Sequence, residues 1–304
     1  MAESHPSWWT LSDPDATALV GVQWDTLRAS PFAGPIGVEF SAAGNLGFPD
    51  LPLIADAKHI LISSPATLAI LTGNFPVVTL HAQAAGKGLK VSSYRGIELF
   101  ISPGKDTLSV AQLTDQLLLL GLRKTLERAI DRSLAETGRR YSPLLARAAR
   151  IAPGKDLWVV ATQLPDPLAS LFVPLEVEAE GFDGAVSVRD GLQLDGSIEA
   201  GSPDQAAAIA ENLRQSMPSL PSIVRAMQVS VESHRVMLNL QVTRNELTAG
   251  MRQTEIPATI LAAPLPKPAV EETVPIGPQV IRIFGLDEGP REIVMPPLPK
   301  RDQP

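Results

Sequence analysis

Histidines 5, 59, 81 and 234 are the only imidazoles in the chain. None stands in an HxxxH or HxH spacing, so no local metal pair exists. His59 and His234 fall in or beside expected strands, and His81 on an expected helix. A surface or half-buried histidine is the plainer reading of each. There is no cysteine, which removes disulfides, thiolate nucleophiles and zinc–sulfur sites together.

Nucleophilic catalysis by serine calls for a strand-to-helix elbow or a Ser with Asp and His partners. No GxSxG occurs, and Ser187, in GAVSVRDG, is placed by its flanking residues in a strand rather than on an elbow. Glu176, Glu178 and Glu180 alternate along one expected strand. That spacing turns all three to one face, a solvated face more readily than a hard-cation site. AAGKGLK, at Ala84 to Lys90, lacks the GxxxxGK[ST] spacing and reads as a helix C-cap. PGKD occurs at Pro103 and at Pro153, and Pro-Gly is simply a good turn. No GxGxxG appears, and no cofactor is expected. The sharpest binding pattern is Pro296, Pro299 and Arg301, which fit P-x-x-P-x-R, a polyproline ligand of aromatic-grooved modules.

The elements that would position these residues follow from periodicity. GLQLDGSIEA, SPDQAAAIAENLRQSM, MQVSVES and RVMLNLQV, within Asp190 to Met251, read strand, capped helix, strand, strand. Ala57 to Arg132 reads in much the same order. KHILISS and TLAILTG make a hairpin, although a helix capped by Ser64 competes. A helix spans GNFPVVTLHAQAAGKG, LKVSSYRGIELFIS is a strand, LSVAQL and QLLLLG are a second hairpin, and RKTLERAIDRSL is a helix. SPLLARAARI, opened by Ser142 and Pro143, forms a joint. Beyond it, DLWVVATQL with PDPLASLF echoes ALVGVQW with DTLRASPF, where Asp25 caps a short helix. PLEVEAEGFDGAVSVRDGLQLDGSIEA predicts three strands, with turns at Gly181 to Gly184 and at Asp190-Gly191. After Met251 prolines crowd the chain, with VIRIFG and REIV as a small hairpin or an added strand.

The sequence thus predicts an α+β protein of two related halves, 1–140 and 141–251, with a proline-rich, largely unstructured tail over 252–304. Each half is expected to hold a mainly antiparallel sheet with helices packed on one face, either in one continuous sheet or apart. The 304 residues, 44% of them hydrophobic, suffice for this. A net charge of −7 without a basic stripe argues against nucleic acid and against polybasic membrane contact. No apolar run reaches the ~18 residues that a spanning helix needs. The start, MAESHPSWWTL, has neither a basic nor an apolar leader region. It suits a cytoplasmic chain, or an exported one if a leader precedes it.

The order from His59 to Arg132 resembles a family of uncharacterised bacterial proteins. It comprises a strand pair, GNF, a helix, a Tyr-x-Gly strand (Tyr94, Gly96), a strand ending in Gly121 and a helix ending in IDR. The likeness runs on through the PDQAAAIAENLRQ helix. Those proteins often carry export signals and have no established activity, so the resemblance implies no catalytic residues. The leading expectation is a non-catalytic binding or assembly protein that meets another protein through its tail. The alternatives are a hydrolase whose site is assembled from distant residues, and a carrier of small apolar ligands.

The best-specified element is the helix opened by Ser202, with Pro203 next, Asp204 at the positive end and Gln205 as the capping-box partner. Ala206, Ile209, Ala210, Leu213 and Met217 form its apolar face. In urea unfolding, Ser202→Ala is expected to cost about 1 kcal/mol and Leu213→Ala roughly 2–5 kcal/mol.

Overall fold

Alternating apolar residues build the strands, and each strand pairs antiparallel with its neighbours. The structure, a computed structural model, describes residues 5–30, 56–65, 67–103, 108–135, 140–163, 179–219, 224–246, 279–283 and 291–295. The first half contributes β1 (Ala18–Gln23), β2 (Ala57–Ser64), β3 (Leu68–Gly73), β4 (Lys90–Tyr94), β5 (Ile97–Ile101), β6 (Ser109–Thr114) and β7 (Leu117–Gly121). β8 (Leu157–Ala161), β9 (Ala179–Ser187), β10 (Gly191–Ala200), β11 (Gln228–Glu232) and β12 (Arg235–Thr243) follow. Together they form one twelve-stranded sheet, ordered β11-β12-β10-β9-β8-β1-β2-β3-β7-β6-β5-β4. Strands from before and after residue 140 therefore share one sheet. They meet where β1 pairs with β8, Val20 opposite Val159 and Gly21 opposite Trp158.

The α-helices among the described residues are α1 (Trp24–Ala29), α2 (Val77–Gly86), α3 (Arg123–Leu134), α4 (Leu144–Ile151) and α5 (Pro203–Ser216). They do not share one face, which corrects the expectation of helices on one side. Val22, Ile60, Leu71 and Leu120 point to the side that carries Trp24 and Leu27 of α1 and Leu80 of α2. Leu19, Leu61, Ile70 and Leu119, one residue out of step, point to the other, against Leu126 and Ile130 of α3 and Leu145 of α4. α5 lies on the first side, its Ile209 and Leu213 packed with Ile198 and Val236. The central strands are apolar on both faces, and only helices on both sides can cover them.

Other expectations meet the structure unevenly. Ser202 caps α5, its Oγ accepting from Gln205 N at 3.2 Å. α1 begins at Trp24, so Asp25 stands in its first turn rather than at its cap. Ser64 starts no helix, and β2 and β3 pair as a hairpin. LKVSSYRGIELFIS is two strands, β4 and β5, because Arg95 (φ 49°) and Gly96 (φ 82°) turn the chain back. Gly181 to Gly184 makes no turn, since β9 runs straight through it against β10. Both glycines give room across the strand instead. A Cβ at Gly184 would meet the Phe182 ring, and one at Gly181 would crowd the Arg147 guanidinium. PDPLASLF and the strand start PLEVE lie outside the described residues.

Pro264–Pro304 forms a compact unit of its own. Within it the expected hairpin forms, β13 (Gln279–Ile283) pairing antiparallel with β14 (Arg291–Met295), Ile281 opposite Ile293.

At the β1–β8 junction a Cβ on Gly21 would fall inside the Trp158 indole, and Trp158 also packs on Trp9 at 4.9 Å between ring centroids. Gly21→Ala is expected to destabilise by about 1–3 kcal/mol in urea unfolding, the usual cost of overpacking. Combined with Trp158→Ala it should cost clearly less than the two single losses added.

Candidate binding surface

The topology keeps the histidines on separate elements. His59, on β2, places Nδ1 3.0 Å from Thr72 Oγ1 and lies under the Trp8 ring, with no carboxylate among the described residues bonded to it. His81, on α2, pairs with Glu98 at 2.9 Å, both side chains more than two-fifths exposed. His234, in the β11–β12 turn, lies 3.5 Å from Glu199. His5 stacks on Trp9. The two histidine–carboxylate pairs thus stand on open surface. Burial works to raise the Glu199 carboxyl, but bonds from Arg235 and His234, with the nearby charges of Arg235 and Arg147, hold it below the usual carboxylate range. No group of three or more His, Asp or Glu side chains among the described residues is arranged to hold a metal ion.

The second PGKD carries more structure than its turn chemistry implied. Asp156 is fully buried. Its Oδ2 accepts from Val188 N at 2.8 Å and Ser187 Oγ at 3.2 Å, and its Oδ1 accepts from Arg189 Nε at 3.3 Å. Gln23 N donates to its carbonyl. This carboxylate therefore fixes the β9–β10 connection to the β1–β8 junction. Ser187 is the last residue of β9, in strand geometry, and its hydroxyl is committed to Asp156. The preceding Lys155 reaches Asp195 on β10, which also accepts from Asn239 (2.7 Å) and Gln193 (3.2 Å). Arg147 of α4 pairs with Asp183 at 2.7 Å. These polar groups cover the face of β9, β10 and β12 opposite α5.

The surface with free bonding capacity is the rim of the sheet. Among the described residues β4 and β11 each pair with one strand only, so each leaves backbone N–H and C=O groups facing outward. Val91 on β4 is 51% exposed and Val231 on β11 is 38% exposed. β4 opens with Lys90 and closes at Tyr94, whose hydroxyl donates to Asp131 (3.2 Å), with Arg95 on the same carboxylate (2.6 Å). On β11 the carbonyl of Val229 accepts from Arg214 of α5 at 2.9 Å. Under α2, Leu80, Ala84, Leu89, Phe100 and Val110 line an apolar gap too narrow for a water molecule.

Sequence reasoning did not find the β4 rim, because it ran β4 and β5 together as one strand. Gly96, inside an otherwise alternating run, was the available signal. Of the glutamate trio, Glu180 lies exposed on β9, and Glu176 and Glu178 are outside the described residues. Pro296, Pro299 and Arg301 are outside them too. No helix among the described residues is long and apolar enough to cross a membrane.

The arrangement is that of an α+β protein built on one large antiparallel sheet with helices against it. No family model matches the chain, and no curated protein matches it. Solved structures do. Crystal form I of TP0453 superposes with a TM-score of 0.54 at 10% identity, over 82% of this chain and 98% of that one. Crystal form III gives 0.54 at 10%, over 83% and 99%, and crystal form IV 0.53 at 9%, over 80% and 99%. At such identities the likeness is one of fold.

Asp156→Ala would strand the buried Val188 N–H and free Arg189. It is expected to cost about 2–3 kcal/mol in chemical unfolding, whereas Arg189→Ala, at a half-exposed side chain, should cost under ~1 kcal/mol.

Proposed function

We propose that the chain is a non-catalytic binding or assembly protein. The observation that carries this is the pair of strands at the two rims of the sheet, β4 and β11, each paired on one side only among the described residues, an arrangement suited to backbone-directed pairing. The surface position of both histidine–carboxylate pairs agrees with it. The strand order supports two copies of one unit, 1–140 and 141–251. Outward from the junction, β1-β2-β3-β7-β6 matches β8-β9-β10-β12-β11, and α2 and α5 each follow the third strand on the same face. The reading includes bacterial proteins that are often exported, on the strength of the Tyr94-x-Gly96 pattern and the Ile130-Asp131-Arg132 run in α3. The tail, 252–304, takes the role of a protein ligand, with Pro296, Pro299 and Arg301 presented to an aromatic groove.

The hydrolase alternative has the Ser187–Asp156 contact in its favour and lacks an imidazole bonded to Ser187 among the described residues. The carrier alternative has in its favour the narrow apolar gap beneath α2.

The test is a comparison of proteins captured by the full chain and by a chain ending at Met251, repeated with Arg301→Ala. A partner kept by the full chain, lost on truncation and weakened severalfold by Arg301→Ala is the expected result. Partners indifferent to the truncation would move the binding site to the folded body. No specific partner in either sample would sink the binding reading.

A further inference from the structure

Resting on the assembly reading above, we infer that the occupant of each sheet rim is a second copy of this chain, with β4 of one copy pairing antiparallel with β11 of the next. Twelve antiparallel strands make β4 and β11 run in opposite directions. A second copy placed beside the first in the same orientation therefore offers β11 antiparallel to β4, with the same face upward. The two strands have equal length, five residues each. Aligned end to end, Lys90 faces Glu232, Val91 faces Val231, Ser92 faces Ser230, Ser93 faces Val229 and Tyr94 faces Gln228.

This register respects the faces each strand already shows. Val91 is opposite Phe100, on the α2 side of the sheet, and Val231 is opposite Val236, on the α5 side, which is the same side. Both exposed valines become mutually covered, and the opposite charges of Lys90 and Glu232 meet on the other face. Neither homotypic alternative does both. β4 on β4 sets Lys90 against Tyr94 and Val91 against Ser93, and β11 on β11 sets Glu232 against Gln228. Among the described residues the Arg214 bond to the Val229 carbonyl is the one side-chain bond to the backbone of either rim strand, and a second copy would meet it there. Because the contact joins two different patches, it repeats from copy to copy and builds an open-ended chain or a ring, not a closed dimer.

Purified full-length protein would be followed by sedimentation velocity across a concentration series, at low and high salt. The expected result is concentration-dependent association, weakened by salt, with Lys90→Glu and Glu232→Lys each lowering affinity about tenfold. The double variant, and an equimolar mixture of the two singles, should recover it, since both restore opposite charges at the contact. Far-UV circular dichroism on each variant checks that these exposed sites leave the fold intact. A chain that stays monomeric throughout, or association untouched by either swap, overturns the inference. Sensitivity to one swap alone would mean β4–β4 or β11–β11 pairing and overturns it equally. So does association lost when the chain ends at Ala263, which would assign the contact to the C-terminal unit. A monomeric chain that still loses a captured partner on truncation at Met251 leaves the binding reading in place, so the two failures are separable.

Discussion

The antiparallel pairing of β1 with β8 is the constraint on which the rest of this structure depends. It is the one strand pairing in the main sheet that joins the two halves of the chain, and packing and polar contacts converge on it. On one face the Trp158 indole occupies the space that Gly21 leaves empty. The same indole lies against Trp9, which brings the N-terminal turn onto the sheet. At the strand ends Asp156 holds the β9–β10 connection and accepts Gln23 N. A small residue on β1, a large one on β8 and a buried carboxylate between them make the join specific as well as apolar. Hydrophobic burial alone would tolerate a slipped register, whereas a buried charge with three donors does not.

The two faces of the sheet then divide the labour. In the first half both faces are apolar, and both need helical cover, from α1 and α2 on one side and α3 on the other. In the second half only the α5 side is apolar throughout. The other side carries Asp183, Asp195 and Glu199, each in a salt bridge. The Arg235–Glu199 pair, the most exposed of the three, adds little net stability, while the part-buried Arg147–Asp183 and Lys155–Asp195 pairs give that face a fixed pattern.

Much of this was legible in the sequence. The hairpins β2–β3 and β6–β7 follow from apolar runs broken at Pro65-Ala66 and Thr114-Asp115, the strands β11 and β12 from their alternation, and α5 from Ser202, Pro203 and the spacing of Ile209 and Leu213. What was not legible has two physical causes. Glycine has two uses, and the sequence does not say which applies. Gly181 and Gly184 read as a turn but serve as room for Arg147 and the Phe182 ring. Gly96 read as part of a strand but serves as a turn. The second cause is that apolar strands do not declare which face is covered by what, so helices on both sides, and the contacts of Asp156, appear only once distant strands are adjacent. The candidate surface was illegible for the first reason, because its β4 rim exists only where Arg95 and Gly96 reverse the chain.

The distance along the chain between β1 and β8 also has a consequence in time. Val20 meets Val159 only after about 140 residues of intervening chain exist. At ~5–20 residues per second of synthesis, that is an interval of roughly 7–30 s. Once β2 (Ala57–Ser64) has been made it covers one edge of β1, and the edge that β8 takes stays open until β8 arrives. During biogenesis the vulnerable rim is therefore this apolar ALVGVQ strand, which bears no charge of its own, and its protection comes from the second half arriving promptly.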